Sequence, residues 1–587
     1  MKLFMKQNQI NKKSKIRNRI IIILSLISLI ACITVLFPQV RRLILDLAIQ
    51  SLGKEPISYE MSLKLLLSFA LGGICFIIFF DYCTLTNSGR KLTKEVIQEM
   101  KDCLCKIDFK DFIKPALLMF VIYLLGTLAI IRANTLYGDE ISWSITGYRS
   151  WYDWSRYVIM FLSYIIHPEI RITDISPLPQ LMAITILSFS SVLLVYILCK
   201  RKISTIGLLA SIPIGLSPFF LECLSYKFAA VYGALPIILS IIPFLFITHK
   251  KAFFFSSLVF LLILSMVNQA ASGIYPMIVI ILCFQDWNSR EKTNKELLSF
   301  IGISAAAFCL SMLIFRFFIM KSFESDNFYT STATHTLSNL LPGLLNNFIE
   351  YTTVIYQDLS VIWVICILLV FVFVITKSTF LSSRNKILSF FTSIIVICVS
   401  FIWSYGIYLL LARPFFSPRS ICGFGVFLAI LCIYIVSNYK KMATIIVIAL
   451  NWCFFVFAFS YGNALADHVR YANFREGILL HDLNTLYLDH NIDKMSIQLK
   501  NSIDYSPTVK NIAKHNPIIK KLVPIRLGAT DIYWDHRYFL DHYNYNTNVL
   551  YNDTQTDYDT FDLPVVLDSY YHTIKSDGEY ILVILKH

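Results

Sequence analysis

Residues 113–133 read IKPALLMFVIYLLGTLAIIRA, and this run decides the fold class. Its charged residues, Lys114 and Arg132, stand near its two ends. A helix of about 20 apolar residues is long enough to cross the hydrocarbon core of a bilayer. Similar runs recur along the chain and predict thirteen spans, at about 20–37, 61–80, 113–133, 180–199, 203–221, 231–248, 252–269, 271–285, 297–320, 356–376, 387–411, 421–437 and 442–460.

The composition agrees with a multi-pass membrane protein. The 587 residues are 56% hydrophobic and only 15% charged, whereas soluble domains carry about 25% charged residues. A soluble enzyme, a disordered chain and a disulfide-rich secreted scaffold are therefore excluded. A β-barrel is excluded as well, because its apolar residues would alternate over segments of about 10 residues. We predict an all-α polytopic membrane protein of about thirteen transmembrane helices, with a small C-terminal α+β domain.

The basic residues predict the orientation of the chain. The loops on one side of the predicted spans hold 27 Lys and Arg residues, and the opposite loops up to residue 460 hold 10. Because basic loops remain in the cytoplasm, we expect a cytoplasmic N-terminus and an extracytoplasmic tail, which is periplasmic if the membrane is the inner membrane of a Gram-negative cell. The first 37 residues resemble a signal peptide, and Cys32 a lipoprotein cleavage site, but the apolar run favours a signal anchor.

Three regions follow from this topology: an N-terminal region with two spans and a basic loop (1–112), a membrane region (113–460) and an outer tail (461–587). The tail holds 13 Tyr residues, which indicate either a sugar-binding surface or an ordinary aromatic core. Strands are predicted at 494–499 and 580–585, and a helix at 465–487. All 14 cysteines precede residue 454, so the tail folds without disulfides.

Two adjacent acids, Asp139 and Glu140, follow the third span. Aromatic and apolar residues then recur every three or four positions, which predicts one interfacial helix over 141–166, ended by Pro168. Acids at the water–lipid boundary could act as a general base toward an attacking hydroxyl. The alternative is that they only begin the helix, where acids favour its dipole.

Other groups on the outer side could bind phosphate. Tyr226-Lys227 lies between spans five and six, and Arg413 and Arg419 lie between spans eleven and twelve. Arg suits a phosphate leaving group, although each cation could instead extend from a span end toward the lipid headgroups. Cys103 and Cys105 form a single CxC pair, too little for a metal site, and we predict neither a metal nor a cofactor.

Short motifs from residue 112 to the C-terminus resemble the serotype-converting O-antigen glucosyltransferases of the glucosyl transferase II type. They are Gly138-Asp139-Glu140, Gly147-Tyr148-x-x-Trp151, Arg156, 176–180, 217–227 and 461–465. The chain departs from the family pattern at three places: Glu140 stands where the family has a second Asp, Trp143 stands where it has Arg, and Ser155-Arg156-Tyr157 replaces Gly-Arg-Pro.

The resemblance implies a GT-C glycosyltransferase that moves glucose from a polyprenyl-phosphate carrier onto lipopolysaccharide O-antigen at the periplasmic face. Asp139 and Glu140 would be catalytic, and Tyr148, Trp151, Arg156, Tyr226, Lys227, Arg413 and Arg419 would bind substrate. It also implies a flippase and a polyprenyl-phosphate glucosyltransferase of the same pathway as partners, and no nucleic acid. An O-antigen polymerase and a transporter or flippase without chemistry remain alternatives. A transporter would show charges at mid-span and broken helices in corresponding halves.

Overall fold

The computed structural model describes residues 86–320, 333–437, 441–489, 496–527, 542–543, 559 and 561–586. The α-helices in these ranges are α1 Asn87–Leu104, α2 Lys110–Ala133, α3 Glu140–Thr146, α4 Tyr157–Ile166, α5 Leu178–Leu198, α6 Thr205–Ala210, α7 Pro213–Leu216, α8 Pro218–Ser225, α9 Ala230–Ile241, α10 Lys250–Ser265, α11 Ile274–Asn288, α12 Asn294–Ile314, α13 Leu340–Asp358, α14 Val361–Phe380, α15 Lys386–Trp403, α16 Gly423–Val436, α17 Met442–Asp489, α18 Pro507–Ala513 and α19 Ile519–Leu522. The strands are β1 Ser496–Lys500, β2 Val565–Asp568, β3 His572–Ser576 and β4 Tyr580–Leu585.

The predicted polytopic all-α fold is confirmed. Within the described ranges, eight helices are long and apolar enough to cross a membrane. The pair Thr205–Leu216 and Pro218–Ser225 is together long and apolar enough as well, but it is bent by 61° and is either a broken span or a re-entrant loop. The predicted spans at 231–248 and 252–269 correspond to shorter helical stretches, Ala230–Phe246 and Lys250–Ser265. The predicted spans at 20–37 and 61–80 lie outside the described residues.

Helix α16 forms the centre of the membrane region. All 14 of its residues are buried, and it packs against α6, α7, α11 and α14. A helix that is apolar on every face has no side to offer to water, so it is covered by other helices. The 3₁₀ turn Pro418–Ile421 directly precedes α16 and places Arg419 at the end of this buried element.

Helices α2 and α17 pack together along the side of the bundle. Gly462 allows the close approach, because a Cβ at this position would lie 2.5 Å from the backbone carbon of Ala129. Small residues serve this purpose between membrane helices. The contact brings Tyr461, which is fully buried, next to the C-terminal end of α2.

The tail forms the predicted α+β unit. Its four-stranded sheet has the order β1-β4-β3-β2, with β1 parallel to β4 and the other pairs antiparallel. Leu479 and Leu483 of α17 pack onto the sheet. Arg475 of α17 donates hydrogen bonds to the carbonyls of Tyr571 and Lys586, at 3.0 and 2.6 Å. The predicted helix at 465–487 is therefore the continuation of the last span, which crosses the predicted domain boundary at 460/461.

The prediction of one interfacial helix over 141–166 is wrong. Gly147 ends α3 with a left-handed backbone, φ 66°, and a Cβ there would lie 2.5 Å from the Cβ of Arg171. A 3₁₀ turn over Ser150–Trp154 follows, and Ser155, with φ 56°, separates it from α4. The three- and four-residue spacing of apolar side chains therefore continues across two breaks between helical segments, at Gly147 and Ser155. The helix that corresponds to the predicted span at 356–376 begins later than predicted, at Val361, because residues up to Asp358 belong to the separate helix α13.

Candidate active site

Asp139 lies at the tip of the loop between α2 and α3. Asn134 ends α2 in the left-handed region, φ 46°, and Gly138 turns the chain again at φ 53°. A Cβ on Gly138 would lie 2.8 Å from the Tyr226 hydroxyl, so glycine is needed for this close approach. Asp139 is exposed, and its side chain makes no capping hydrogen bond to α3. Asp139 therefore stands at the N-terminus of α3 without a side-chain cap, and a charge–dipole role there stays an alternative.

Glu140 has a different environment from its neighbour. Its carboxyl is fully buried, and its two oxygens accept hydrogen bonds from the backbone N–H of Phe228 at 2.6 Å and of Tyr137 at 3.2 Å. Burial raises the pKa of Glu140 to about 8, against the opposing effect of these amides. This geometry favours a structural role, in which Glu140 holds the Asp139 loop against the segment that follows α8. Its predicted catalytic role stays untested.

Arg419 is held in place by an acid and two aromatic rings. Its backbone N–H donates to Oε2 of Glu222 at 2.7 Å, and its guanidinium Nη1 lies 3.6 Å from Oε1. Nη1 also donates to the Tyr226 hydroxyl. The guanidinium carbon lies 5.2 Å from the centre of the Tyr226 ring and 5.6 Å from that of Phe415. Arg419 is thereby fixed in orientation while part of its side chain, 37% exposed, stays accessible.

Arg156 completes a group of charges around Asp139. Burial lowers the pKa of Arg156, and the nearby Tyr408 and Asp139 act in the opposite direction. Asp139 also interacts electrostatically with Arg419. One exposed carboxylate therefore interacts electrostatically with two guanidinium groups, a combination suited to proton removal near a departing anion. The structure brings together four of the predicted site residues: Asp139, Arg156, Tyr226 and Arg419.

The tail contacts the tyrosine side chains that pack against this group. The Tyr137 ring meets the Tyr226 ring at 4.8 Å, edge to face. Its hydroxyl donates to the backbone carbonyl of Leu522 at 2.8 Å, and Tyr461 donates to the same carbonyl at 3.0 Å. Leu522 is fully buried in the main core with its neighbours on α19. The tail is thus part of the site's support.

Lys227 is less suited to binding the carrier phosphate than predicted. It is buried, and its ammonium donates to Oδ2 of Asp174 at 2.6 Å and to Oδ1 of Asn134 at 3.1 Å. Burial would raise the pKa of Asp174, but the hydrogen bonds from Lys227 and Ser176 and the charge of Lys227 together outweigh it, and the pKa is lowered. A buried charge is retained when it is paired in this way. Lys227 therefore ties the end of α2 to the segment before α5.

The remaining predicted substrate-binding residues are Trp151, Tyr148 and Arg413. Trp151 is 3% exposed and packs between Trp143 and Tyr232, at ring-centre distances of 4.9 and 5.2 Å. Its faces are covered, which favours a packing role, and its predicted substrate-binding role stays untested. Tyr148 and Arg413 are exposed, and their binding role stays a prediction.

Some functional candidates escaped the sequence analysis. Glu222 is an acid directly after the predicted span at 203–221, and acids within or beside spans are functional candidates by default, so that signal was present. Arg149 is buried and donates to the carbonyls of His167, at 3.0 Å, and Glu169, at 2.7 Å. It fixes the turn between α4 and α5, and nothing in its sequence spacing indicates those partners. Within the described residues, no three His, Cys, Asp or Glu side chains are grouped to hold a metal ion.

Comparison with known proteins bears on this site directly. The family model described as glucosyl transferase GtrII matches residues 128–430. The chain belongs to the GtrII glucosyl transferase family. The matched range includes Asp139 and Glu140, the bent helix pair with Glu222, the following Tyr226, and Arg419. The GtrII assignment makes this membrane protein a glycosyltransferase.

A phage protein supports the assignment more weakly. The chain is 24% identical over 442 residues to a Salmonella phage P22 protein described as an uncharacterized 55.3 kDa protein in the gtrB 5' region. The alignment covers 72% of this chain and 88% of the phage protein. No solved structure matches the chain.

Proposed function

We propose that this GtrII-family protein transfers glucose from a polyprenyl-phosphate carrier to the O-antigen of lipopolysaccharide, at the periplasmic face of the inner membrane. The observation that carries the proposal is one exposed carboxylate, Asp139, that interacts electrostatically with the guanidinium groups of Arg156 and Arg419. Its neighbour Gly138 packs against Tyr226, which holds Arg419. A lipid-borne donor suits a site at the end of membrane helices, where the carrier chain can remain in the bilayer.

The reaction follows from these charges. A hydroxyl of the acceptor sugar attacks C1 of the glucose, and Asp139 takes the hydroxyl proton. The bond between C1 and the phosphate oxygen breaks as the glycosidic bond forms. Polyprenyl phosphate leaves with the electron pair of the broken bond, and Arg419 and Arg156 stabilise the negative charge that develops. Glu222 and Tyr226 keep Arg419 oriented during this step.

The donor can be tested with the purified full chain. With synthetic polyprenyl-phosphate glucose and O-antigen from cells that lack the gene, we expect glucose to appear on the O-antigen, as measured by mass spectrometry. UDP-glucose in place of the lipid donor should give no product. Transfer from UDP-glucose alone would contradict the proposed donor, and longer O-antigen chains without added glucose would favour a polymerase.

Placement of the site outside the cytoplasm rests on the excess of basic residues in alternate loops. We expect alkaline phosphatase fused after His587 to be active and the same fusion after Lys101 to be inactive, because this reporter folds only outside the cytoplasm. β-Galactosidase fusions at the two positions should give the opposite pattern and serve as the expression control. An expressed but inactive phosphatase fusion at His587 would place the tail, including Leu522 next to the site, in the cytoplasm.

A further inference from the structure

A cavity of 170 Å³ lies between the tail and the acid loop, which is the segment 134–141 that carries Asp139 and Glu140. One wall is the loop on either side of Asp139, including Thr135 and Ile141, and the opposite wall is the outer part of α17, including Asn473 and Glu476. Arg526 and neighbouring residues of the tail close it. None of its lining residues belongs to the charge group formed by Asp139, Arg156 and Arg419.

We infer that this cavity binds a sugar ring of the acceptor glycan, an inference that rests on the proposed function. The lining combines an amide, a carboxylate, a guanidinium and a hydroxyl with the apolar side chains of Ile141 and Leu527. Such a mixture suits a neutral sugar, whose hydroxyls form hydrogen bonds while its ring face contacts apolar carbons. A phosphate would meet the carboxylate of Glu476, and a lipid chain would meet too many polar groups.

The size and the position of the cavity agree with this ligand. Pockets for drug-sized ligands measure about 300–1,000 Å³, so the smaller volume here suits one ring of a longer chain. Glu476 is buried, and Oε2 accepts a hydrogen bond from the Tyr543 hydroxyl at 2.8 Å, so this wall is ordered before any ligand binds.

The cavity also borders the loop that carries the proposed general base, Asp139. Leu136 and Ile141, which line it, stand three and two residues from Asp139 in the chain. A sugar held in the cavity would place the glycan next to the loop that carries Asp139. The tail then has a defined task, since it forms the acceptor side of the site while Arg419 and Arg156 form the donor side.

The test separates acceptor binding from donor binding. Asn473→Trp places a large side chain in the cavity from an exposed position on α17. Asn484→Trp is the matched control, because Asn484 is also exposed on α17, about 16 Å further along the helix axis. Rates are measured with the purified full chain, polyprenyl-phosphate glucose and soluble O-antigen oligosaccharide, with each substrate varied in turn.

We expect Asn473→Trp to raise the KM for the oligosaccharide at least tenfold and to leave the KM for the lipid donor within twofold. Asn484→Trp should match the parent protein in both. An unchanged KM for the oligosaccharide, or an increase only in the donor KM, would refute the acceptor site. If Asn473→Trp does not fold, Asn473→Ala decides, with an expected threefold or greater rise in the same KM. Failure of the parent protein to transfer glucose would instead refute the proposed function.

Discussion

Asp139→Asn should reduce glucose transfer by about 100- to 10,000-fold, the range expected when a general base is lost. Asn keeps the size and hydrogen-bonding capacity of the side chain but cannot take up the acceptor proton. Because Asp139 is exposed and makes no capping hydrogen bond, the variant should fold and insert normally. Initial transfer rates with saturating donor and acceptor, normalised to protein in the membrane, measure the effect.

Two comparisons make the result specific to the base. Asp111→Asn changes an exposed acid in the first turn of α2 and should leave the rate unchanged. Glu140→Gln should lower the thermal stability of the detergent-solubilised protein, because an amide nitrogen would face one of the two backbone N–H groups that the carboxyl now accepts. An unsatisfied buried group costs about 1–3 kcal/mol. Normal transfer by Asp139→Asn together with an inactive but stable Glu140→Gln would reverse the two roles.

Arg419→Ala is the second change with a large expected effect. Loss of one charge-assisted contact to a developing anion costs about 2.7–4 kcal/mol, or roughly 100- to 1,000-fold in rate. Arg419→Lys should retain part of the activity, because Lys keeps the charge but lacks the planar fork that reaches Tyr226 and a phosphate together. Initial rates at low donor concentration, which report kcat/KM for the donor, are the measurement.

The neighbouring arginines sharpen this prediction. Arg413→Ala removes the same side chain six residues earlier, at an exposed position, and should cost less than Arg419→Ala. Arg470→Ala, at an exposed position on α17, should have no effect and controls for the loss of a positive charge. Full activity of Arg419→Ala would move the phosphate contact to Arg156 or to another group.

The membrane architecture was predictable because it depends on properties that are local in the chain. An apolar run of sufficient length becomes a helix wherever it lies, and each of the eleven spans predicted within the described residues has a helix. The strands at 496–500 and 580–585 were also predictable, because the first alternates polar and apolar residues and the second is a short apolar run. The break after Thr146 was not, because the apolar spacing continues through Gly147 and Ser155 while the backbone turns at both.

The sequence by itself therefore determined the polytopic helical fold, the α+β tail and the candidate acid loop with its family resemblance. Only the tertiary structure decided which charged groups are available for chemistry. Glu140 is buried and accepts a hydrogen bond from the backbone N–H of Phe228, and Lys227 forms an ion pair with Asp174. The Tyr137 hydroxyl donates a hydrogen bond to the backbone carbonyl of Leu522, 385 residues later in the chain. Burial and pairing come from residues distant in sequence, so hydropathy and spacing cannot distinguish an exposed acid from a buried one beside it.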